Sequence, residues 1–252
     1  MTETKAVITL ITGADKGIGF ATAQALGKKG QQILVGARDQ QRGEQAVARL
    51  KTAGVAATFI QLDVTDKAQI KAAVARIKVD YGYLSILINN AGIALGSHLP
   101  ASQMSTDTMR QEFDVNFFGL VDVTQAMIPL LKAGQPAKII NVSSNMGSLG
   151  LASDPNSRFY KVSSLGYQAT KASVDFATIL LSKELVTEGI TVNSVNPGWT
   201  ATNFGGRPSD APKPAGMQDV VTGAAQIVKM ASLPLDDPQT GTFTENEGTL
   251  PW

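Results

Sequence analysis

Short β-branched runs alternate with longer stretches of helical periodicity along almost the whole 252-residue chain, and that alternation leaves few folds open. Seven runs read as strands, at residues 5–12, 31–37, 56–62, 85–89, 137–143, 190–196 and 240–244. Each is short and apolar, as a strand buried on both faces must be. Helical spacing fills 17–29, 41–53, 67–80, 106–132, 164–188 and 217–231, mostly entered through polar residues. Right-handed crossovers between parallel strands wind such units into a doubly wound, Rossmann-like α/β fold, a parallel seven-stranded sheet with helices on both faces. Its ligand crevice lies at the carboxyl ends of the strands. No linker or solenoid repeat interrupts the pattern, so the expectation is one domain over 1–252. The Pro- and Gly-rich stretch 203–216 reads as a flap, because a final helix and strand follow it.

Composition narrows the function. With 22 basic against 21 acidic residues spread along the chain, there is no broad field to attract nucleic acid or an anionic membrane, so neither is an expected partner. The absence of cysteine removes disulfides, thiolate nucleophiles and zinc–thiolate sites. His98 is the only histidine and reads as a loop residue, which disfavours histidine-based hydrolysis. The apolar run 6–11 is too short for a signal peptide or a membrane span, so cytoplasmic residence is expected.

The first strand runs into Thr12-Gly13-Ala14-Asp15-Lys16-Gly17-Ile18-Gly19, with a helix beginning inside the turn. Glycines there let the backbone turn tightly against a pyrophosphate, while the new helix offers free N–H groups and its positive dipole end. The spacing is GxxxGxG rather than GxGxxG; alone it fits a plain strand-to-helix turn as well as a nucleotide cradle, and its place after the first strand favours the cradle. The second strand ends Gly36-Ala37-Arg38-Asp39. An arginine at this strand end accommodates the 2′-phosphate of NADP, whereas an acidic residue holds the ribose hydroxyls of NAD. Arg38 and Lys16 together read as a phosphate-binding pair, the alternative being two solvated surface charges. Asp39 is the discordant residue.

Tyr167 and Lys171 stand four apart at the start of a helix, hence on one face. A phenol with an ordinary pKa of about 10 needs a neighbouring positive charge to exchange protons near neutrality, and Lys171 could be that charge. By itself the pair is as well explained as an aromatic–aliphatic contact on a surface helix. Three further motifs fall where the crevice should be: Asn89-Asn90-Ala91-Gly92, Asn116 in Val115-Asn116-Phe117-Phe118-Gly119, and Asn141-Val142-Ser143-Ser144. From residue 5 to about 202 the sequence thereby resembles the short-chain dehydrogenase/reductase family, and most of all its NADPH-dependent carbonyl reductases.

That resemblance implies an NADP(H)-dependent oxidoreductase acting on a small carbonyl or alcohol substrate, with a catalytic set of Asn116, Ser144, Tyr167 and Lys171 and no metal. Ser144 would hydrogen-bond the carbonyl, Tyr167 would give the proton, Lys171 would bind the nicotinamide ribose, and Asn116 would hold a water and the helix near Lys171. Toward the cofactor it implies Gly13, Lys16, Gly17, Ile18, Gly19 and Arg38; Asp63 and Val64 at the adenine; Asn90, Ala91 and Gly92 at the adenosine ribose; and Pro197, Gly198, Trp199, Thr200, Ala201 and Thr202 passing the carboxamide. For Asn141, Asn193 and Asn196 the expectation is turn or strand-end hydrogen bonding. Ser144 and Tyr167 are further apart than in most members, and the extra segment around 153–162 would either shape the substrate mouth or cover the 164–188 helix that commonly builds subunit contacts. A homo-oligomer, dimer or tetramer, is therefore left open. Tyr160 is not a rival to Tyr167, since Ser164 rather than lysine follows it by four. The apolar character of 146–151 and the flap suggests a small to medium hydrophobic carbonyl compound. A catalytically silent NADP(H)-binding sensor or scaffold is the alternative, although such proteins usually lose part of the catalytic set.

Overall fold

The strands are parallel because helices, not hairpins, connect them, and burial on both faces selects their apolar residues. The computed structural model describes residues 5–95, 99–208 and 211–252, so His98 lies outside the described residues. The strands are β1 (Ile8–Thr12), β2 (Gln32–Ala37), β3 (Ala57–Gln61), β4 (Ile86–Asn89), β5 (Ala137–Val142), β6 (Ile190–Val195), β7 (Phe243–Glu245) and β8 (Gly248–Thr249), in the order β3-β2-β1-β4-β5-β6-β7-β8. The sheet is parallel through β7.

Among the described residues the sheet therefore has eight strands where seven parallel ones were expected. β8 folds back antiparallel on β7, pairing Thr244 with Thr249 and Glu245 with Gly248. Two residues are too few to carry a period, so this edge strand leaves no hydrophobic signature. Phe243 stacks on Trp252 at 5.6 Å between ring centroids and anchors the returning tail.

The helices are α1 (Gly17–Gly27), α2 (Gln40–Thr52), α3 (Lys67–Asp80), α4 (Thr106–Phe113), α5 (Leu120–Ala133), α6 (Leu149–Ser153), α7 (Leu165–Leu185) and α8 (Val220–Ser232). Their starts follow from capping chemistry: Asp39 accepts from Arg42 N, Asp66 from Ala68 and Gln69 N, and Asp219 from Thr222 N. Asp219 thus sets the start of the last helix three residues later than periodicity suggested. The stretch expected as one helix over 106–132 contains a π-helical turn, Asp114–Gly119, joining α4 to α5.

Alternate strand residues feed two cores, one on each face. Leu10, Leu34, Leu87, Ile139 and Val192 meet α3, α5 and α7, whereas Ile11, Ile33, Ile88, Ile140 and Val195 meet α1, α2 and α8. Truncating one of these fully buried side chains to alanine costs about 2–5 kcal/mol. The chain leaves β1 toward β2 and β3, then crosses back to lay β4 on the other side of β1. This reversal opens a crevice at the carboxyl ends of β1 and β4, where both the glycine turn and Asn90-Ala91-Gly92 emerge.

Candidate active site

The glycine turn is shaped from both sides. Gly13 and Gly17 sit at φ +64° and +57°, in the left-handed region that disfavours side chains. Asn90 then welds the turn to β4, donating from Nδ2 to Thr12 O at 2.8 Å and Gly13 O at 3.1 Å. The Thr12 hydroxyl accepts from Asn90 N and Ala91 N at 3.0 and 2.9 Å. Sequence reasoning passed over Thr12, since a threonine closing a strand carries no distinctive signal. A Cβ on Gly19 would lie 2.6 Å from both Asn90 Nδ2 and Gly13 O. Gly19→Ala is accordingly expected to lower unfolding stability by about 1–3 kcal/mol through overpacking. A denaturant titration checks this, and an unchanged midpoint would contradict the assigned packing.

Around this turn the donors suit a phosphate. The first α1 residues have N–H groups with no carbonyl one turn back. Lys16 precedes the helix, Arg38 ends the neighbouring strand, both are exposed, and neither side chain makes a hydrogen bond or ion pair among the described residues. Asp39 is occupied elsewhere: it caps α2 and faces the Arg42 guanidinium at 3.7 Å. Arg42 also bonds Asp15 at 3.1 Å, so this overlooked cation is neutralised by two carboxylates. Asp63 commits Oδ1 to a turn with Thr65 N and Oγ1, and buried Val64 packs against Gly119 of the π-helical turn.

Across the crevice, Pro197 to Thr202 leave β6 with Gly198 at φ +71°. Thr202 comes within 3.4 Å of the Cβ position of Gly17, so this segment lies over the glycine turn. Gln218 holds it by donating to Pro197 O and to the Thr200 hydroxyl. Trp199 is exposed, and Ile18 packs into the α1 side of the core.

The four expected catalytic side chains converge. Tyr167 and Lys171 share a face at the start of α7, with the Lys171 Nζ 5.7 Å from the Tyr167 ring centroid. That amine donates to Val142 O at 2.8 Å. Ser144, at the end of β5, shares a hydrogen bond with the Tyr167 phenol and accepts from Met146 N at 3.2 Å. Asn116 is 1% exposed and clamps Ile93 through both its N–H and its carbonyl at 2.8 Å, with a further bond to Thr170 Oγ1 at 3.1 Å. The π-helical turn places that amide toward α7. A Cβ on Gly92 would stand 3.3 Å from Asn116 Oδ1 and 3.9 Å from Lys171 Nζ, so the strand-four motif closes the same pocket.

One expectation is overturned. Tyr167 is not acidified: burial pushes the phenol up to about 12, the Ser144 bond opposes this, and the charges of Glu112 and Asp175 add to the rise. Lys171 is itself pulled down to about 8 by burial, against the influence of Asp175. Glu112 is fully buried on α4 and accepts from Leu95 N at 2.8 Å, tying down the segment after Gly92. Its polar neighbours Arg110 and Gln111 give no sequence signal of this burial. Phe204, from the expected flap, meets the Tyr167 ring edge-on at 5.6 Å.

Asn141, Asn193 and Asn196 behave as strand hydrogen-bonders, to Asn89 and Thr178, to Gln239 and Thr242, and to Glu245 and Gly198. Just after the extra segment, Ser163 donates to Leu99 O at 2.9 Å. Phe176 and Leu180 of α7 stay exposed, so the extra segment does not cover that part of the helix. Tyr160 is half exposed on a surface turn. Among the described residues no cluster of three metal-ligating side chains forms, and no helix is long and apolar enough to cross a membrane.

Comparison with known proteins shows the family and the fold. A family model described as short chain dehydrogenase matches residues 7–212. The chain is 34% identical over 249 residues to a protein of Penicillium roqueforti named short-chain dehydrogenase anuI, covering 96% of this chain and 95% of that one. It is 28% identical to the NADPH carbonyl reductase 1 of Mus musculus, covering 97% and 98%. Among solved structures, an NADPH-bound carbonyl reductase from chicken fatty liver superposes with a TM-score of 0.82 at 26% identity, covering 99% of this chain and 100% of that one.

Proposed function

The chain belongs to the short-chain dehydrogenase family and is an oxidoreductase, and from that premise we propose that it reduces a ketone or aldehyde with NADPH, with Tyr167 as the proton donor. The observation that carries this reading is the convergence of Tyr167, Lys171, Ser144 and Asn116 over Gly92, beside a glycine turn whose flanking cations have no carboxylate partner.

NADP(H) fits the residues present. Gly13, Gly17, Ile18 and Gly19 would receive the pyrophosphate, because any Cβ at Gly19 would strike Asn90 and fill the cradle. Lys16 and Arg38 would take the 2′-phosphate, and the N-cap role of Asp39 removes the acidic competitor. Asp63 has one carboxylate oxygen outside its Asx turn for the adenine amino group. Asn90 to Gly92 would line the adenosine ribose, and the segment from Pro197 to Thr202 would meet the carboxamide. When bound, the dinucleotide supplies the hydride.

The protein's own groups complete the reaction. Ser144 donates to the carbonyl oxygen, and Tyr167 protonates that oxygen as carbon receives the hydride, so negative charge is stabilised only as it develops. A phenol held near 12 is fully protonated at neutral pH, which is the form that reduction requires. Lys171 would hold the ribose and keep a positive charge beside the phenolate left behind. Asn116 fixes the backbone of Ile93 and the helix carrying Tyr167. The Phe204 ring against Tyr167 gives the pocket an apolar wall, which supports a hydrophobic carbonyl compound as substrate.

A panel of ketones, aldehydes, quinones and keto esters with NADPH, followed by loss of reduced-nicotinamide absorbance, tests the proposal. Turnover of at least one hydrophobic carbonyl is expected. NADPH binding with no turnover across the panel would favour a cofactor-sensing protein instead.

A further inference from the structure

Asp175 lies one helical turn beyond Lys171 on the same face of α7 and is 4% exposed. Among the described residues neither carboxylate oxygen has a close hydrogen bond, and its polar neighbours are the Ser143 and Ser194 hydroxyls. Ser143 donates to Lys171 O at 3.3 Å. Thr178 gives its hydroxyl proton to Val174 O, so in the 2.9 Å pair between Thr178 and Ser194 the serine is the donor. A buried charge without hydrogen bonds is costly, and a nearby opposite charge is what offsets that cost.

Lys171 is the cation within reach. The charged or titratable groups facing it are Tyr167 and Asp175 on α7, with Glu112 brought by α4 on the Tyr167 side. β5 contributes only Val142 O and Ser143, β6 the neutral Ser194, and the π-helical turn Asn116. Among the described residues the carboxylate acting on this buried ammonium is therefore Asp175, one turn away, with the Ser143 and Ser194 hydroxyls beside it.

We propose that Asp175 is a positioning residue that serves as the buried counter-ion of Lys171, keeping the amine protonated and directed toward the Tyr167 side of the cleft. This rests on the carbonyl-reductase reading, which assigns Lys171 its role. Burial draws the lysine down to about 8 and pushes the carboxyl up to about 6, so both groups are charged between those values. Removing the carboxylate leaves desolvation unopposed, and the lysine then loses its proton at lower pH.

The test is a pH titration of the Lys171 Nζ–Cε signals by NMR, in protein labelled with 13C,15N-lysine, without substrate, for the wild type, Asp175→Asn and Asp175→Glu. Asp175→Asn should move the Lys171 midpoint down by about 1 pH unit or more, and Asp175→Glu should restore most of it. In turnover assays the alkaline limb of kcat/KM should fall earlier in Asp175→Asn by the same interval. A packing role alone would lower melting temperature without moving either midpoint, and that result would overturn the proposal. If Asp175→Asn does not fold, the wild type decides: its Lys171 signal should show a second inflection where Asp175 titrates, and a single inflection would overturn the pairing. Because the titration needs no turnover, coupled groups in a protein that reduces nothing would refute the carbonyl-reductase reading while leaving the Lys171–Asp175 coupling intact.

Discussion

Tyr167→Phe is expected to lower kcat for carbonyl reduction by about 10²–10⁴-fold, the usual contribution of a positioned general acid, while NADPH affinity is retained. The ring stays, so the edge contact with Phe204 and the helix start are preserved; only the hydroxyl and its bond to Ser144 are lost. Steady-state kinetics with a fluorescence titration of NADPH check both halves. A sensor would lose neither property, and an enzyme whose nucleotide affinity collapsed with the hydroxyl would be using Tyr167 for binding. The pH dependence follows from the same groups. With the phenol held near 12, reduction keeps its acid across the neutral range, so the alkaline limb should come from Lys171 losing its proton near 8 rather than from Tyr167. In the oxidation direction the phenolate is the required form, and the rate should rise with pH.

Lys16→Ala and Arg38→Ala should each cut kcat/KM for NADPH by about 10–100-fold and leave that for NADH nearly unchanged. A hydrogen bond to a charged group contributes about 1.5–3 kcal/mol, and only NADPH carries the 2′-phosphate. Lys16 stands at the start of α1 and Arg38 just after β2, neither with a side-chain partner among the described residues, so their loss leaves no protein carboxylate uncompensated. Arg42 is the contrasting case. It bridges Asp15 and Asp39, so its removal should loosen the start of α2 and penalise both coenzymes alike. Equal kcat/KM losses with NADH and NADPH for Lys16→Ala or Arg38→Ala would count against the assigned pocket.

The parallel sheet and its crossovers were legible because buried strands and amphipathic helices imprint different periods on the chain. β8 was not, since its two residues have no period and its pairing depends on a turn at Asn246 and Glu247. The π-helical turn was hidden for a different reason: one wide turn does not break a helical pattern, yet it positions Asn116 against Ile93 and Thr170. In the site, residue types at fixed spacings were enough to group Tyr167, Lys171 and Ser144. The sign of the phenol's perturbation was not readable, because it depends on burial and on two carboxylates, Glu112 and Asp175, brought in by the fold. Glu112 reads as a surface residue until α4 turns it onto Leu95, and Asp175 reads as one more polar position on a long helix until the fold buries it one turn from Lys171.

The central claim is that Tyr167 delivers a proton to a carbonyl oxygen as its carbon receives hydride. Its most direct test is a single-turnover reaction with NADPH deuterated at the transferred nicotinamide position, comparing the wild type with Tyr167→Phe. The account predicts deuterium on the carbinol carbon, formed rapidly by the wild type and at least about 100-fold more slowly by the variant. Equal rates for the two proteins, or deuterium released to water, would contradict it.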